Sequence, residues 1–222
     1  MRRSSVRAYG TSIPFRLYVV TDRHQTGGRP LEDVLEAAAR GGAGAIQLRE
    51  KDLSARDLYA LGLRVQTAIA PYGVPLLVND RLDVALALDA AGVHLAGHSL
   101  PTAVARRALG AGKWLGVSTH SLDEARQAAE EGADFVVFGP VFPTPSKLAY
   151  GPPQGLQHLA AVVSHVSIPV MAIGGIDHLN LPQVLHAGAY GVAMIRAVLA
   201  APAPDSATRQ LAEALPPLSA TR

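Results

Sequence analysis

The chain has 222 residues, 49% of them apolar, a size and composition that suit a single globular domain with an ample core. Lys plus Arg number 20 against 18 Asp plus Glu, a formal net charge of +2, too balanced to argue for nucleic acid or a membrane surface as partner. There are no cysteines, which excludes disulfides and thiolate chemistry, and no apolar run has the length of a membrane span.

The opening MRRSSVRAYGTSIP is basic but has no apolar h-region, so it does not read as a secretory signal, and a cytoplasmic location is the default. Residues 1 to about 15 are expected to form a flexible lead-in. From there one rhythm repeats: an Ala- and Leu-rich amphipathic helix pattern ends at Gly, and a short apolar strand follows at once. It runs through LEDVLEAAARGGAGAIQLRE, DVALALDAAGVHLAG, LDEARQAAEEGADFVVFG and LPQVLHAGAYGVAMI. With further strand candidates at Leu17 to Thr21, Pro75 to Asn79, Trp114 to Ser118 and Pro169 to Ile173, roughly eight strands alternate with helices. That count predicts a (β/α)8 TIM barrel, an α/β fold in one domain over residues 16–200, with a C-terminal helix and tail over 201–222. A doubly wound open sheet competes, but no G-x-G-x-x-G follows the first strand.

In such a barrel the chemistry sits at the carboxyl ends of the strands. Those ends read Thr21-Asp22, Gln47 to Lys51, Asn79-Asp80, His94 to Ser99, Ser118 to His120, the Thr144 to Lys147 loop, Gly174-Gly175-Ile176 and Ile195-Arg196. The opposite, helix-to-strand turns are mostly Gly and Ala, and this asymmetry argues for an enzyme.

In QLREK, strand alternation points Gln47 and Arg49 to one side, with Lys51 following in the loop. An amide, a guanidinium and an ammonium converging there suit a diphosphate; the plainer alternative is a solvated Arg-Glu-Lys turn. Asp80 is read either as a helix cap or as a Mg²⁺ ligand acting with substrate phosphate oxygens. His120 is either a proton shuttle or part of a helix start, with Ser121 as N-cap and Glu124 three residues on. The strand Asp134 to Phe138 breaks at Gly139-Pro140 into a long loop carrying Thr144, Ser146 and Lys147, hydroxyls and a lysine that suit a phosphate. Gly174-Gly175 and the Gly191 to Arg196 segment follow the last two strands, where barrels often bind phosphate through backbone N–H groups. Trp114 reads as core, and His158, His165, His178 and His186 as surface residues without metal-ligand spacing.

LYVVTD, QLREK, LLVND, GVHL, GVSTH, FGPVFPTPSK and AIGGI, in this order, resemble the thiamine phosphate synthase family, which includes related thiazole tautomerases. The resemblance spans Leu17 to about Leu199. It implies a transferase of thiamine biosynthesis that joins hydroxymethylpyrimidine diphosphate to carboxythiazole phosphate and releases pyrophosphate. Gln47, Arg49, Lys51 and Asn79 would then hold the pyrimidine diphosphate, Asp80 would bind Mg²⁺, and Ser118 would lie near the pyrimidine. Thr144, Pro145 and Ser146 would line the thiazole phosphate site, and Lys147 would reach the diphosphate. Gly174 or Gly175, with the Ile195-Arg196 backbone, would hold the thiazole phosphate. Two positions depart from the pattern. Ser99 stands where the synthases carry a second Mg²⁺-binding Asp, and Arg196 stands where they usually carry Ser. The Ser99 segment resembles the tautomerases, in which a histidine at the position of His120 is associated with proton transfer, so a tautomerase is the alternative and a non-catalytic phosphate-ligand sensor a third. Implied partners are the two small-molecule substrates, without nucleic acid or membrane; self-association is left open.

Overall fold

The computed structural model describes residues 13–144 and 152–218. Runs such as LYVV and FVVF are buried at every position, which a strand flanked by helices outside and by side chains inside requires. Eight of these form the sheet: β1 Leu17–Val20, β2 Ala45–Leu48, β3 Leu76–Asn79, β4 Gly92–Leu95, β5 Trp114–Thr119, β6 Phe135–Phe138, β7 Val170–Ile173 and β8 Gly191–Met194. All are parallel, and β8 pairs back onto β1, closing the barrel expected from the sequence. The helices between them are α1 Leu31–Arg40, α2 Ala55–Ile69, α3 Leu82–Ala87, α4 Thr102–Leu109, α5 Leu122–Glu130, α6 Gly155–His165, α7 Leu181–His186 and α8 Arg196–Leu199, followed by α9 Pro204–Ala214.

Alternation along each strand divides the core into two layers. Leu17, Val19, Ile46, Leu48, Val78 and Leu95 face outward and pack against the helices, α1 supplying Val34, Leu35 and Ala38. Tyr18, Val20, Ala45, Leu77, Trp114, Phe135, Val137 and Met171 face inward and fill the barrel. Gly116 is inward too, and a Cβ there would stand 2.4 Å from Phe135 and 2.5 Å from the His94 ring, so glycine at this position is what lets both rings fit. Outside the barrel, α9 packs on α1 and buries Thr208 and Leu211.

The lead-in expected to run to about residue 15 ends sooner. Ile13 and Phe15 are 0% and 1% exposed and close the amino-terminal end of the barrel. Phe15 packs edge-on against Trp114 and Phe135, with ring centroids 5.5 Å away in each case. Tyr190 donates a hydrogen bond to the Ile13 carbonyl at 2.6 Å, and the Arg16 guanidinium lies over the Tyr190 ring. An apolar pair at positions 13 and 15 before the first strand has the alternation of a buried segment, which the preceding basic run obscures.

Candidate active site

The last inward position of each strand projects into the carboxyl-end mouth. On four adjacent strands these positions are Gln47, Asn79, His94 and Ser118, all polar. Gln47 and Asn79 are buried, and the Gln47 amide donates to the Asn79 side-chain oxygen at 3.0 Å. Asn79 in turn donates to Asp80 Oδ2 at 2.8 Å. Asp80 Oδ1 accepts the Ser99 hydroxyl and, at 3.2 Å, the Ala96 N–H, while His98 Nε2 lies 3.8 Å from Oδ2. A continuous chain of hydrogen bonds therefore runs from β2 to the loop after β4.

Asp80 does not cap the helix it precedes. Arg81 occupies the cap position of α3 with no side-chain cap bond, and Asp80 itself has φ +59, in the left-handed region that Asp tolerates better than most residues. That backbone turns its carboxylate toward Ser99 and the mouth, so the helix-cap reading is set aside. Ser121, by contrast, does cap α5, accepting the Glu124 N–H at 3.1 Å.

The two histidines of the mouth have distinct settings. His94 is 2% exposed, and its Nε2 is 2.9 Å from the Ser118 hydroxyl. Burial, reinforced by the nearby Arg49 charge and only partly offset by Asp80, pushes the His94 imidazole down to about 3, so it is neutral at physiological pH. His120 is exposed, and its Nδ1 donates to the Gly139 carbonyl at 2.5 Å, which directs the ring to the start of the β6–α6 loop rather than to Ser118. The histidine touching Ser118 is therefore His94, which the sequence names only as the start of a strand end. The signal was available in GVHL: a histidine one residue before a strand's end, in phase with Gln47 and Asn79, faces the barrel.

Arg49 is half-buried just past β2 and Lys51 is exposed in the loop beyond it. Across the mouth, the β6–α6 loop is zipped to the turn after β7: Val141 N–H donates to Ile173 O at 2.9 Å and Phe142 N–H to Gly174 O at 3.0 Å. Gly174 and Gly175 have φ +101 and +63, and Cβ atoms there would meet Pro140 at 2.5 Å and the Pro143 carbonyl at 2.6 Å. The close approach that these glycines permit is thus made by the loop itself, through Pro140, Phe142 and Pro143. Pro145, Ser146 and Lys147 lie outside the described residues. Ile195 precedes α8 and Arg196 is exposed at its first turn. His158, His165, His178 and His186 are all exposed, as expected.

A cleft of about 500 Å³ is lined by the β1–α1 loop, Leu53 and the facing sides of α1 and α2. Its charges are already engaged: Arg23 with Glu50 and Asp52, Arg64 with Glu32, and Arg29 with backbone carbonyls. The convergent polar groups are at the barrel mouth.

A closed (β/α)8 barrel with its polar side chains gathered at the carboxyl ends of the strands defines a barrel enzyme. The family model described as thiamine monophosphate synthase matches residues 17–198, and the chain belongs to that family. It is 50% identical over 195 residues to a thiamine-phosphate synthase of Roseiflexus sp. (strain RS-1), covering 88% of this chain and 83% of the relative. It is 48% identical to a thiamine-phosphate synthase of Chloroflexus aurantiacus, covering 90% and 92%. Among solved structures, the thiamine phosphate pyrophosphorylase from Pyrococcus furiosus superposes with a TM-score of 0.82 at 38% identity, covering 90% of this chain and 95% of that one.

Proposed function

We infer that the protein couples hydroxymethylpyrimidine diphosphate to carboxythiazole phosphate, forming thiamine phosphate, pyrophosphate and carbon dioxide. The observation that carries this reading is the Gln47–Asn79–Asp80 hydrogen-bond chain beside Arg49 and Lys51 in a chain of this family. A tautomerase acting on the thiazole phosphate alone has no need of that diphosphate-side apparatus.

In the reaction, the bond between the pyrimidine methylene carbon and the diphosphate oxygen breaks, the thiazole nitrogen bonds to that carbon, and the thiazole carboxylate departs as carbon dioxide with a proton taking its place. Positive charge develops on the methylene and negative charge on the departing pyrophosphate. Arg49 and Lys51 bind the diphosphate and stabilise the leaving charge, the effect expected to contribute most. Gln47 and Asn79 orient the diphosphate end. Ser118, held by neutral His94, positions the pyrimidine. Thr144, Gly174, Gly175, Ile195 and Arg196 hold the thiazole phosphate; Pro145, Ser146 and Lys147, expected to join that site and the diphosphate, lie outside the described residues. His120 is assigned no step in the coupling; it anchors the base of the loop.

Asp80 would be the carboxylate that holds Mg²⁺. The Asp80 carboxylate and the adjacent Ser99 hydroxyl are oxygen donors, the kind a hard cation takes together with water and substrate phosphate oxygens. Ser99 would turn its hydroxyl from donating to Asp80 to presenting a lone pair. Bound there, Mg²⁺ neutralises charge on the leaving pyrophosphate.

The test is a coupled assay of purified protein with both substrates and Mg²⁺, scoring thiamine phosphate and pyrophosphate together. Product is expected in equal amounts, abolished by EDTA, and reduced about ten- to hundredfold in kcat/KM by Lys51→Ala, as loss of a charged hydrogen bond implies. Isomerisation of the thiazole phosphate without coupling, abolished by His120→Ala, would replace this reading with the tautomerase.

A further inference from the structure

The fourth residue of QLREK, Glu50, has a place that no substrate contact explains. Leu48 and Glu50 face outward, opposite to Gln47 and Arg49, and Leu48 accordingly packs against the helices. Glu50, a carboxylate, is only 5% exposed in the same layer. A buried carboxylate needs partners, and Glu50 has a full set from the β1–α1 loop. The Thr21 hydroxyl donates to Oε1 at 2.6 Å, the Arg23 backbone N–H lies 3.2 Å from each oxygen, and Arg23 Nη1 donates to Oε2 at 3.0 Å.

These bonds act on the two residues on either side of Glu50. The β1–β2 ladder reaches Thr21 N–H, which donates to Gln47 O at 2.9 Å. Beyond it, Arg49 N–H donates to the Thr21 hydroxyl oxygen at 2.8 Å, so a side chain continues the pairing past the end of β2. The hydroxyl has one proton, and Glu50 takes it, which leaves a lone pair aimed at Arg49. On the other flank Arg23 also grips Asp52, with Nη1 donating to Oδ1 at 2.6 Å and Nη2 to Oδ2. Lys51 is thereby held between two carboxylates bound to one guanidinium.

We propose that Glu50, acting through Thr21 and Arg23, is a positioning residue that fixes Arg49 and Lys51 for the diphosphate. The clamp rests on the diphosphate reading above, and it touches no substrate itself. Glutamine at residue 50 would keep the shape but turn an N–H₂ group toward the donors of Arg23. Valine at residue 21 would keep the shape but remove the acceptor for Arg49.

The experiment measures initial rates with each substrate varied in turn, for wild type, Glu50→Gln, Thr21→Val and Thr21→Ser. Calorimetric titration with inorganic pyrophosphate and Mg²⁺ runs alongside. Glu50→Gln and Thr21→Val are expected to raise KM for the pyrimidine diphosphate and weaken pyrophosphate binding by at least about tenfold, the effect of one charge-assisted hydrogen bond. KM for the thiazole phosphate should stay within about twofold, and Thr21→Ser, which restores the hydroxyl, should behave as wild type. Parallel changes in both KM values, or none, would overturn the clamp. Should Glu50→Gln fail to fold, Thr21→Val decides alone. Wild type that binds pyrophosphate but does not couple would sink the synthase reading and leave the clamp standing. Wild type that does not bind pyrophosphate would overturn both.

Discussion

His94 shows how one side chain's setting controls its chemistry. The chain contains 8 histidines, and composition does not separate them. Inside the barrel, His94 is neutral because burial disfavours its charged form, and it serves Ser118 as a fixed hydrogen-bond partner. The unfolded chain takes up a proton there near pH 6.5, whereas the folded chain does so only at about 3. Its contribution therefore leaves stability unchanged above the unfolded value and subtracts from it as pH falls between the two, by up to about 1.4 kcal/mol per pH unit. Urea midpoints at neutral pH and at successively lower values should fall less steeply for His94→Gln than for wild type. Equal slopes would mean that His94 is protonated in the folded protein. Glu50 makes the same point from the opposite direction: Arg-Glu-Lys in a sequence reads equally as a solvated turn, and only the Thr21 and Arg23 partners, 29 and 27 residues away, distinguish a buried clamp.

Among the elements, the segment from Ile13 to Phe15 was the least readable. Its basic prefix gave it the look of a lead-in, yet Phe15 closes the barrel floor against Trp114 and Phe135. Phe15→Ala should cost about 3–5 kcal/mol, the usual penalty for emptying a buried aromatic site, read as a lowered urea midpoint with an unchanged slope. A loss below about 1 kcal/mol would show the floor to be dispensable. The strands were readable to within a residue or two because their apolar runs are bounded by Gly, Pro and polar residues. β6, expected from Asp134, begins at Phe135, since Asp134 turns its carboxylate back to accept the Leu115 N–H at 2.7 Å. The turn after β7 was read as a phosphate cradle on its glycines and its place after the seventh strand. In the fold those glycines also admit the neighbouring loop, a second demand on the same backbone that no sequence window displays.

Across the whole molecule, closure makes every strand depend on two neighbours, because β1 bonds to both β2 and β8. Trp114 is the one tryptophan of the chain and lies inside that ring, so its emission reports on barrel integrity. In urea, its red shift and the loss of far-ultraviolet circular dichroism should coincide, since no group of strands can leave without opening the ladder on both sides. Separate transitions would reveal a half-barrel that survives alone. Among the described residues no helix is long and apolar enough to cross a membrane. The barrel, the active end and most of the polar rim follow from the order of residues alone, because strand alternation and Gly-terminated helices are local properties. Which histidine meets Ser118, what Glu50 holds, how Asp80 turns from a cap into the mouth, and where the lead-in ends were decided by packing. Each depends on partners that lie far apart in sequence and meet only when the ring closes.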